Sequence, residues 1–158
     1  MSHQKDVIPK HILVAAWSIA LAAIAPMLDS TMINIAIKQL NTTFQTSLDI
    51  IQWGVTGYIL ALATTVPLAG WLMNRFNSKK VFISSVILFG VASLFVGLSW
   101  NVGSFIFFRI MQGGSAGVIT TLMSTLLVKV AGREHIGKVM AIVSTPMILG
   151  PIFGPVLG

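Results

Sequence analysis

Long apolar runs constrain this chain more than any other feature of its sequence. A helix needs about 20 apolar residues to cross a hydrocarbon core about 30 Å thick. Four runs reach that length, and a fifth begins near Val139 and is still apolar at Gly158. The sequence therefore predicts an all-α, polytopic membrane helix bundle, with spans at roughly 12–37, 50–73, 81–100, 102–128 and 139–158.

The composition excludes an ordinary water-soluble globule. Of the 158 residues, 55% are hydrophobic and only 9% are charged, and the mean hydropathy is +0.89. A soluble domain usually carries about 25% charged residues to cover its surface. None of the runs has the polar face that a helix on the surface of a soluble protein requires. The chain has no cysteine, which excludes disulfide bonds and thiolate metal sites, and we expect no metal and no cofactor.

The basic residues predict the orientation, because lysine and arginine near the ends of spans favour the cytoplasmic side. Eight of the ten lie in the N-terminal tail and in the second and fourth connectors: Lys5, Lys10, Arg75, Lys79, Lys80, Lys129, Arg133 and Lys138. The first and third connectors together hold only Lys38. We therefore expect a multi-pass protein of the cell membrane with a cytoplasmic N-terminus. The basic residues form no continuous patch, so membrane lipid and not nucleic acid is the expected partner.

Two charged residues fall inside the predicted spans, Asp29 in the first and Arg109 in the fourth. A charge at the centre of a bilayer costs at least about 2.5–3.5 kcal/mol, so such residues face protein or water and usually have a function. At 1.5 Å per residue, Asp29 lies about 12 Å and Arg109 about 10 Å from the outer ends of their spans. The similar depth permits an ion pair if the two helices are neighbours, and Gln112 is one turn from Arg109.

This setting offers the chemistry of a proton-coupled carrier. A buried carboxyl group lowers its cost either by taking a proton or by pairing with a cation, and a coupled carrier switches between those states. Ser30, Thr31 and Asn34 lie within two turns of Asp29, a pattern typical of a helix that lines a cavity or a helix contact. A purely structural ion pair is the alternative.

Glycine and proline recur at helical spacing in the last run. Gly150, Gly154 and Gly158 share one helix face, and Pro151 and Pro155 follow the first two. Small residues at this spacing let two helix backbones approach closely, and proline removes backbone hydrogen bonds. The fourth run carries a second group: Gly113, Gly114 and Gly117. Both groups are compatible with plain helix packing or with a role in conformational change.

Four motifs, in order along the chain, resemble those of a known family. The segment Leu28–Ala36 resembles a first-span signature, LDxTIVNVA, and Gly70–Lys80 resembles the family's basic loop between spans two and three. Arg109–Gly113 matches the fourth-span motif RxxQG, and the Gly-Pro pairs at 150–151 and 154–155 resemble a fifth-span antiporter signature. The chain is thereby similar to the major facilitator superfamily, in particular to the fourteen-span drug:proton antiporters of the EmrB/QacA type.

The resemblance implies proton-coupled efflux of drugs or other small lipophilic compounds by alternating access in a bacterial cell membrane. Asp29 would be the protonatable carboxylate, Arg109 its electrostatic partner, and Asn34 and Gln112 would line the coupling and substrate site. The cytoplasmic gate loop would use Gly70, Asn74, Arg75, Lys79 and Lys80, and the antiporter helix face would use Gly150, Pro151, Gly154, Pro155 and Gly158. Protons and a small drug-like molecule are the implied partners.

The sequence departs from the family in its gate loop and in its length. Asn74 stands where the family has aspartate, and Asn77 where it has glycine, although asparagine at 77 can still adopt the left-handed conformation of a turn. The family has twelve or fourteen spans, whereas this sequence stops in the fifth and is truncated before the sixth. We therefore expect an N-terminal part of a transporter that lacks its C-terminal spans and is inactive alone.

Two other classes of membrane protein are alternatives to a transporter. A non-transporting assembly or regulatory protein could associate through the glycine-rich helix faces. An enzyme is not expected, because no span carries a nucleophile–base pair or a cluster of His, Asp and Glu at ligand spacing. The three histidines, His3, His11 and His135, lie in the tail and in a connector.

Overall fold

Four helices make up the computed structural model, which describes residues 8–157 apart from the side chains of 149–151, 153–155 and 157. They are α1 (Lys10–Phe44), α2 (Leu48–Arg75), α3 (Ser78–Gly97) and α4 (Val102–Leu157). All four are long and apolar enough to cross a membrane by length and composition. No strand occurs in the described residues. The predicted all-α class is therefore confirmed.

The first connector is much shorter than the polar segment 38–49 that the sequence suggested. Helix α1 continues to Phe44 and ends at Gln45, whose φ of 48° is the left-handed conformation common at helix C-termini. The Asn41 side chain donates to the carbonyl of Thr46 and closes the turn. The polar residues after Ile37 mark the end of the apolar stretch, but they do not end the helix, because backbone hydrogen bonding continues in water.

The turn between α2 and α3 is closed by an asparagine cap. Asn77 has φ −65° and ψ 118°, and its Oδ1 accepts a hydrogen bond of 3.0 Å from the backbone N–H of Lys79. The prediction of a left-handed conformation at Asn77 is therefore wrong. Its side chain instead satisfies a free N–H at the start of α3, which requires extended backbone at the capping residue.

The fourth connector, predicted as a polar loop at 129–138, is helical except at one residue. Only Gly132, with φ 66° and ψ 176°, leaves the helical conformation inside α4. It divides α4 into an N-terminal segment (residues 102–131) and a C-terminal segment (residues 133–157). A single glycine thus interrupts the helix where the sequence predicts a connector of ten residues.

We expect Gly132→Ala to lower the free energy of unfolding by about 1–3 kcal/mol, because this region of φ and ψ is essentially restricted to glycine. An added Cβ would meet nothing within 4 Å, so the loss would come from the backbone and not from a clash. Titration with SDS in mixed micelles, followed by circular dichroism, measures the change. Gly137→Ala is the control, since it also has open space around it and should be neutral or stabilising. Equal stability of the Gly132 variant and the wild type would contradict this expectation.

Helix α4 is the centre of the bundle and packs against α1, α2 and α3. Its buried residues Ile119, Leu122 and Leu127 meet a stripe of small side chains on α1 that includes Ala16 and Ala20. Many large apolar side chains on the outer faces are exposed, among them Leu21, Leu94 and Phe107. Such a surface is unstable in water and stable in lipid, so the bundle matches a membrane protein.

Candidate functional site: a buried ion pair

Asp29, Arg109 and Gln112 form a closed trio in the interior of the bundle. Arg109 Nη1 donates to Asp29 Oδ2 at 2.5 Å and to Gln112 Oε1 at 2.8 Å. Gln112 Nε2 donates to Asp29 Oδ1 at 2.8 Å, which completes the ring of contacts. The pair joins α1 to α4, while Arg109 and Gln112 lie one turn apart on the same face of α4. The structure thus brings together three of the four residues that the sequence assigned to coupling.

The three side chains differ in their access to the surroundings. Arg109 is 1% exposed and Gln112 is fully buried, whereas the Asp29 side chain is 20% exposed. Asp29 opens into a cleft of about 580 Å³ between α1 and α3, lined mostly by apolar side chains, by the polar residues Gln39 and Ser93, and by Arg109 of α4. A proton can therefore reach the carboxylate from the cleft while the guanidinium stays enclosed.

An aromatic ring covers the guanidinium on a further side. The Cζ atom of Arg109 lies 4.4 Å from the centre of the Tyr58 ring, and Tyr58 is 4% exposed. A cation at this distance from an aromatic face is attracted by the ring quadrupole, most strongly where water is excluded. Among the described residues, the buried Nε of Arg109 has no hydrogen-bond partner. Asp29, Gln112 and Tyr58 are therefore the described side chains that contact and stabilise this buried charge.

Glycines explain why α2 comes so close to the trio. A Cβ on Gly113 would lie 2.7 Å from the Cα of Tyr58, and a Cβ on Gly117 would lie 2.6 Å from the carbonyl oxygen of Leu62. On the opposite helix, a Cβ on Gly54 would overlap the Phe105 ring. Gly113 and Gly117 therefore face α2 within the chain and offer no free face to a partner protein.

Asn34, the fourth residue assigned to coupling, lies apart from the trio. Its side chain is exposed and donates to the carbonyl of Ser30 at 3.2 Å, one turn earlier on α1. Five residues along a helix correspond to a rotation of about 140°, so Asn34 and Asp29 point in different directions. Its role in lining a substrate path stays a prediction.

The gate-loop residues lie together around the α2–α3 turn. Asn74 and Arg75 are exposed at the end of α2, and Lys79 and Lys80 are exposed in the first turn of α3. Gly70 lies one turn earlier, with open space where a side chain would be. A further basic residue, Lys129 of α4, donates to the Ser78 hydroxyl at 3.0 Å and ties the turn to the central helix.

The residues of the antiporter helix face can be placed only in part. Gly150, Pro151, Gly154 and Pro155 lie within the C-terminal segment of α4, and their side chains are not described. Gly158 lies outside the described residues.

The sequence reasoning missed two parts of this site, the Tyr58 ring and the glycines Gly54 and Gly57. A signal was available, because Gly54, Gly57 and Tyr58 recur at helical spacing on α2, as Gly113 and Gly117 do on α4. Their partners could not be assigned until the α2–α4 contact was known. In the described part of the chain, no group of three or more His, Cys, Asp or Glu side chains could hold a metal ion.

A membrane helix bundle with a buried carboxylate–guanidinium pair has the features of a polytopic carrier. The profile of the Major Facilitator Superfamily matches residues 19–158. The match covers most of the sequence, and the chain belongs to the major facilitator superfamily.

Several relatives resemble the chain over most of its length. It is 37% identical over 147 residues to the "Multidrug resistance protein B homolog" of Mycobacterium tuberculosis (strain ATCC 25618 / H37Rv), covering 93% of this chain and 27% of the relative. It is 34% identical over 158 residues to the "Multidrug export protein EmrB" of Escherichia coli (strain K12), covering 100% of this chain and 31% of the relative. The chain thus spans less than a third of the length of these relatives.

Proposed function

We propose that the chain is the N-terminal part of a proton-coupled efflux transporter for drugs or other small lipophilic compounds. The single observation that carries this proposal is the buried pair of Asp29 and Arg109, completed by Gln112 and bordering a cleft to which Asp29 is the more exposed of the two. The names of the relatives support export of multiple drugs, and the family supports transport as the general activity.

Proton coupling would arise from competition for one carboxylate. While Asp29 is ionised, it holds Arg109 and accepts a bond from Gln112. A proton on Asp29 removes the charge, weakens the contact with Arg109 and changes the balance between two packings of α1 against α4. Alternating access uses such a change, with one helix bundle rocking against another around a central site. The remaining spans of the intact protein would form the other side of that site.

The cleft gives the proton a path from one side of the membrane. The cleft extends from Asp29 towards the C-terminal ends of α1 and α3. Its wall there is formed by Ala36 and Gln39 of α1 and by Ser93 and Val96 of α3. Under the proposed topology these helix ends face the cell exterior, so protons would enter from outside. An apolar cleft with one carboxylate also suits a lipophilic cation, which could bind when Asp29 is ionised.

Transport by the complete protein in proteoliposomes tests the proposal. We expect a pH gradient, acidic on the outer side, to drive movement of ethidium, a lipophilic cation, and we expect a protonophore to stop it. Movement of ethidium that ignores the gradient would contradict proton coupling. Absence of any movement, together with stable capture of another protein in detergent, would favour the assembly or regulatory alternative.

We further propose a multi-pass location in the bacterial cell membrane with the N-terminus in the cytoplasm. The basic residues Arg75, Lys79 and Lys80 would then lie at the cytoplasmic gate, where Asn74 can donate a hydrogen bond but offers no charge. The glycine–proline face at 150–158 would shape the fifth span and limit leakage.

The topology can be tested by labelling, because the chain has no native cysteine. A membrane-impermeant maleimide should label Ser47→Cys in intact cells and should label Asn77→Cys only after the cells are opened. Both positions are exposed in turns between helices. The reverse pattern would contradict the proposed orientation.

A further inference from the structure

We infer that Tyr58 is a positioning residue that holds the guanidinium of Arg109 through its ring and thereby sets the proton affinity of Asp29. The inference rests on the proposed role of Asp29 in proton coupling and adds a residue on a third helix to it. The ring centre lies 4.4 Å from Arg109 Cζ, and both side chains are buried. Tyr58 itself touches neither the proton nor the drug in this role; it acts through Arg109.

The backbone that carries the ring is held by close contact with α4. Gly113, one turn after Arg109 on α4, leaves no room for a side chain against the backbone of Tyr58. The Tyr58 backbone is therefore held against the same stretch of α4 that carries Arg109 and Gln112. The ring itself is 4% exposed, so the surrounding packing restricts its side-chain rotamers.

The contact matters most when Asp29 takes a proton. Arg109 then loses its counter-ion while it is still 1% exposed, and water cannot replace the lost charge. Besides the neutral carboxyl group of Asp29, which can still accept a hydrogen bond, two described stabilisers remain: the Gln112 carbonyl at 2.8 Å and the face of the Tyr58 ring. A stronger ring contact makes the protonated state of Asp29 more favourable. Removing the ring should therefore make Asp29 harder to protonate.

Among the described residues, the neighbouring helices place no other charge at the site that would affect the proton affinity of Asp29. Asp29 is the ionisable group of α1 at the site, Arg109 that of α4, and Tyr58 that of α2. From α3, the cleft is lined by Phe89, Ser93 and Val96, none of which carries a charge. The effect of Tyr58 on the proton can thus be measured without a competing charge in the described part of the site.

The test is a pH titration of the Asp29 carboxyl group by infrared spectroscopy, with the complete protein in lipid nanodiscs. Subtracting the spectrum of Asp29→Asn identifies the carboxyl band. We expect Tyr58→Leu to weaken proton binding by up to about tenfold and to move the midpoint by up to about one pH unit towards acid, since the full strength of a desolvated cation–π contact sets the upper limit. Tyr58→Phe keeps the ring and should restore the wild-type midpoint. Tyr58→Met repeats the test with a flexible side chain that fills the space, should the leucine variant fold poorly.

A double-mutant cycle separates positioning from packing. In an Arg109→Gln background the ring has no cation to hold, so Tyr58→Leu should produce no further shift of the midpoint. An equal shift with and without Arg109 would overturn the inference, as would an unchanged midpoint in Tyr58→Leu alone. In both of those outcomes Asp29 still titrates, so its proposed role survives. If the infrared band of the protonated Asp29 carboxyl group does not appear at any pH of the wild-type titration, the proposed function is contradicted as well.

Discussion

Replacing Asp29 with asparagine should reduce proton-driven efflux by the complete transporter to the level of liposomes without protein. Asparagine has nearly the same shape and can still accept a hydrogen bond from Arg109, so the bundle should still insert and fold, with a lower free energy of unfolding. It cannot take or release a proton, and it leaves the buried guanidinium without a counter-ion. Because Arg109 is enclosed, water cannot compensate. The initial rate of ethidium movement under an imposed pH gradient measures the effect.

Asp49→Asn provides the matched control for this experiment. Asp49 is exposed in the first turn of α2, and the substitution removes the same charge from a residue outside the site. We expect its transport rate to stay close to that of the wild type. Proton-driven efflux that persists at the wild-type rate in Asp29→Asn would rule out the role assigned to this carboxylate.

Gly113→Ala should destabilise the folded bundle by about 3 kcal/mol, the upper part of the range for overpacked cores. The added Cβ would lie 2.7 Å from the Cα of Tyr58 and 2.8 Å from its carbonyl carbon. These atoms belong to the backbone of α2, so no change of rotamer can relieve the overlap and the two helices must separate. Separation would also withdraw the Tyr58 ring from Arg109. The midpoint of SDS-induced unfolding, followed by tryptophan fluorescence, measures the loss.

The neighbouring glycine is the control for this substitution. A Cβ on Gly114 would meet only the Thr65 methyl group, at 3.6 Å, which is an ordinary van der Waals distance. Gly114→Ala should therefore fold with at least the stability of the wild type, since alanine is also the better helix former. Similar unfolding midpoints for the two variants would show that the close α2–α4 contact does not stabilise the bundle.

Much of the architecture could be predicted because membranes impose simple rules on sequence. Run length alone indicated helices that span a bilayer, and residue counting placed Asp29 and Arg109 at similar depth. The structure places the two side chains in contact. What counting could not supply is the rotation of each helix about its axis, which decides whether two residues at equal depth face each other. That rotation is set by packing between helices that are distant in sequence.

The remaining differences have the same origin. Polarity indicates where the chain leaves the hydrocarbon core, but it does not indicate where a helix ends. The polar residues after Ile37 therefore predict a connector, whereas α1 continues to Phe44. The ring of Tyr58 is an ordinary apolar feature in sequence and becomes part of the site only because Gly113 admits the α2 backbone. For Asn34 the sequence predicts a site shared with Asp29, because the residue is polar and near in sequence. In the structure the two side chains point to different sides of α1, and Asn34 donates to the carbonyl of Ser30.

The most direct test of the central claim, that Asp29 exchanges its proton in step with its substrate, is proton release on drug binding. The complete protein in detergent, in weakly buffered solution with a pH indicator, is mixed with ethidium. We predict release of protons by the wild type and none by Asp29→Asn. Equal release by both proteins would show that the exchanging proton resides elsewhere and would contradict the account.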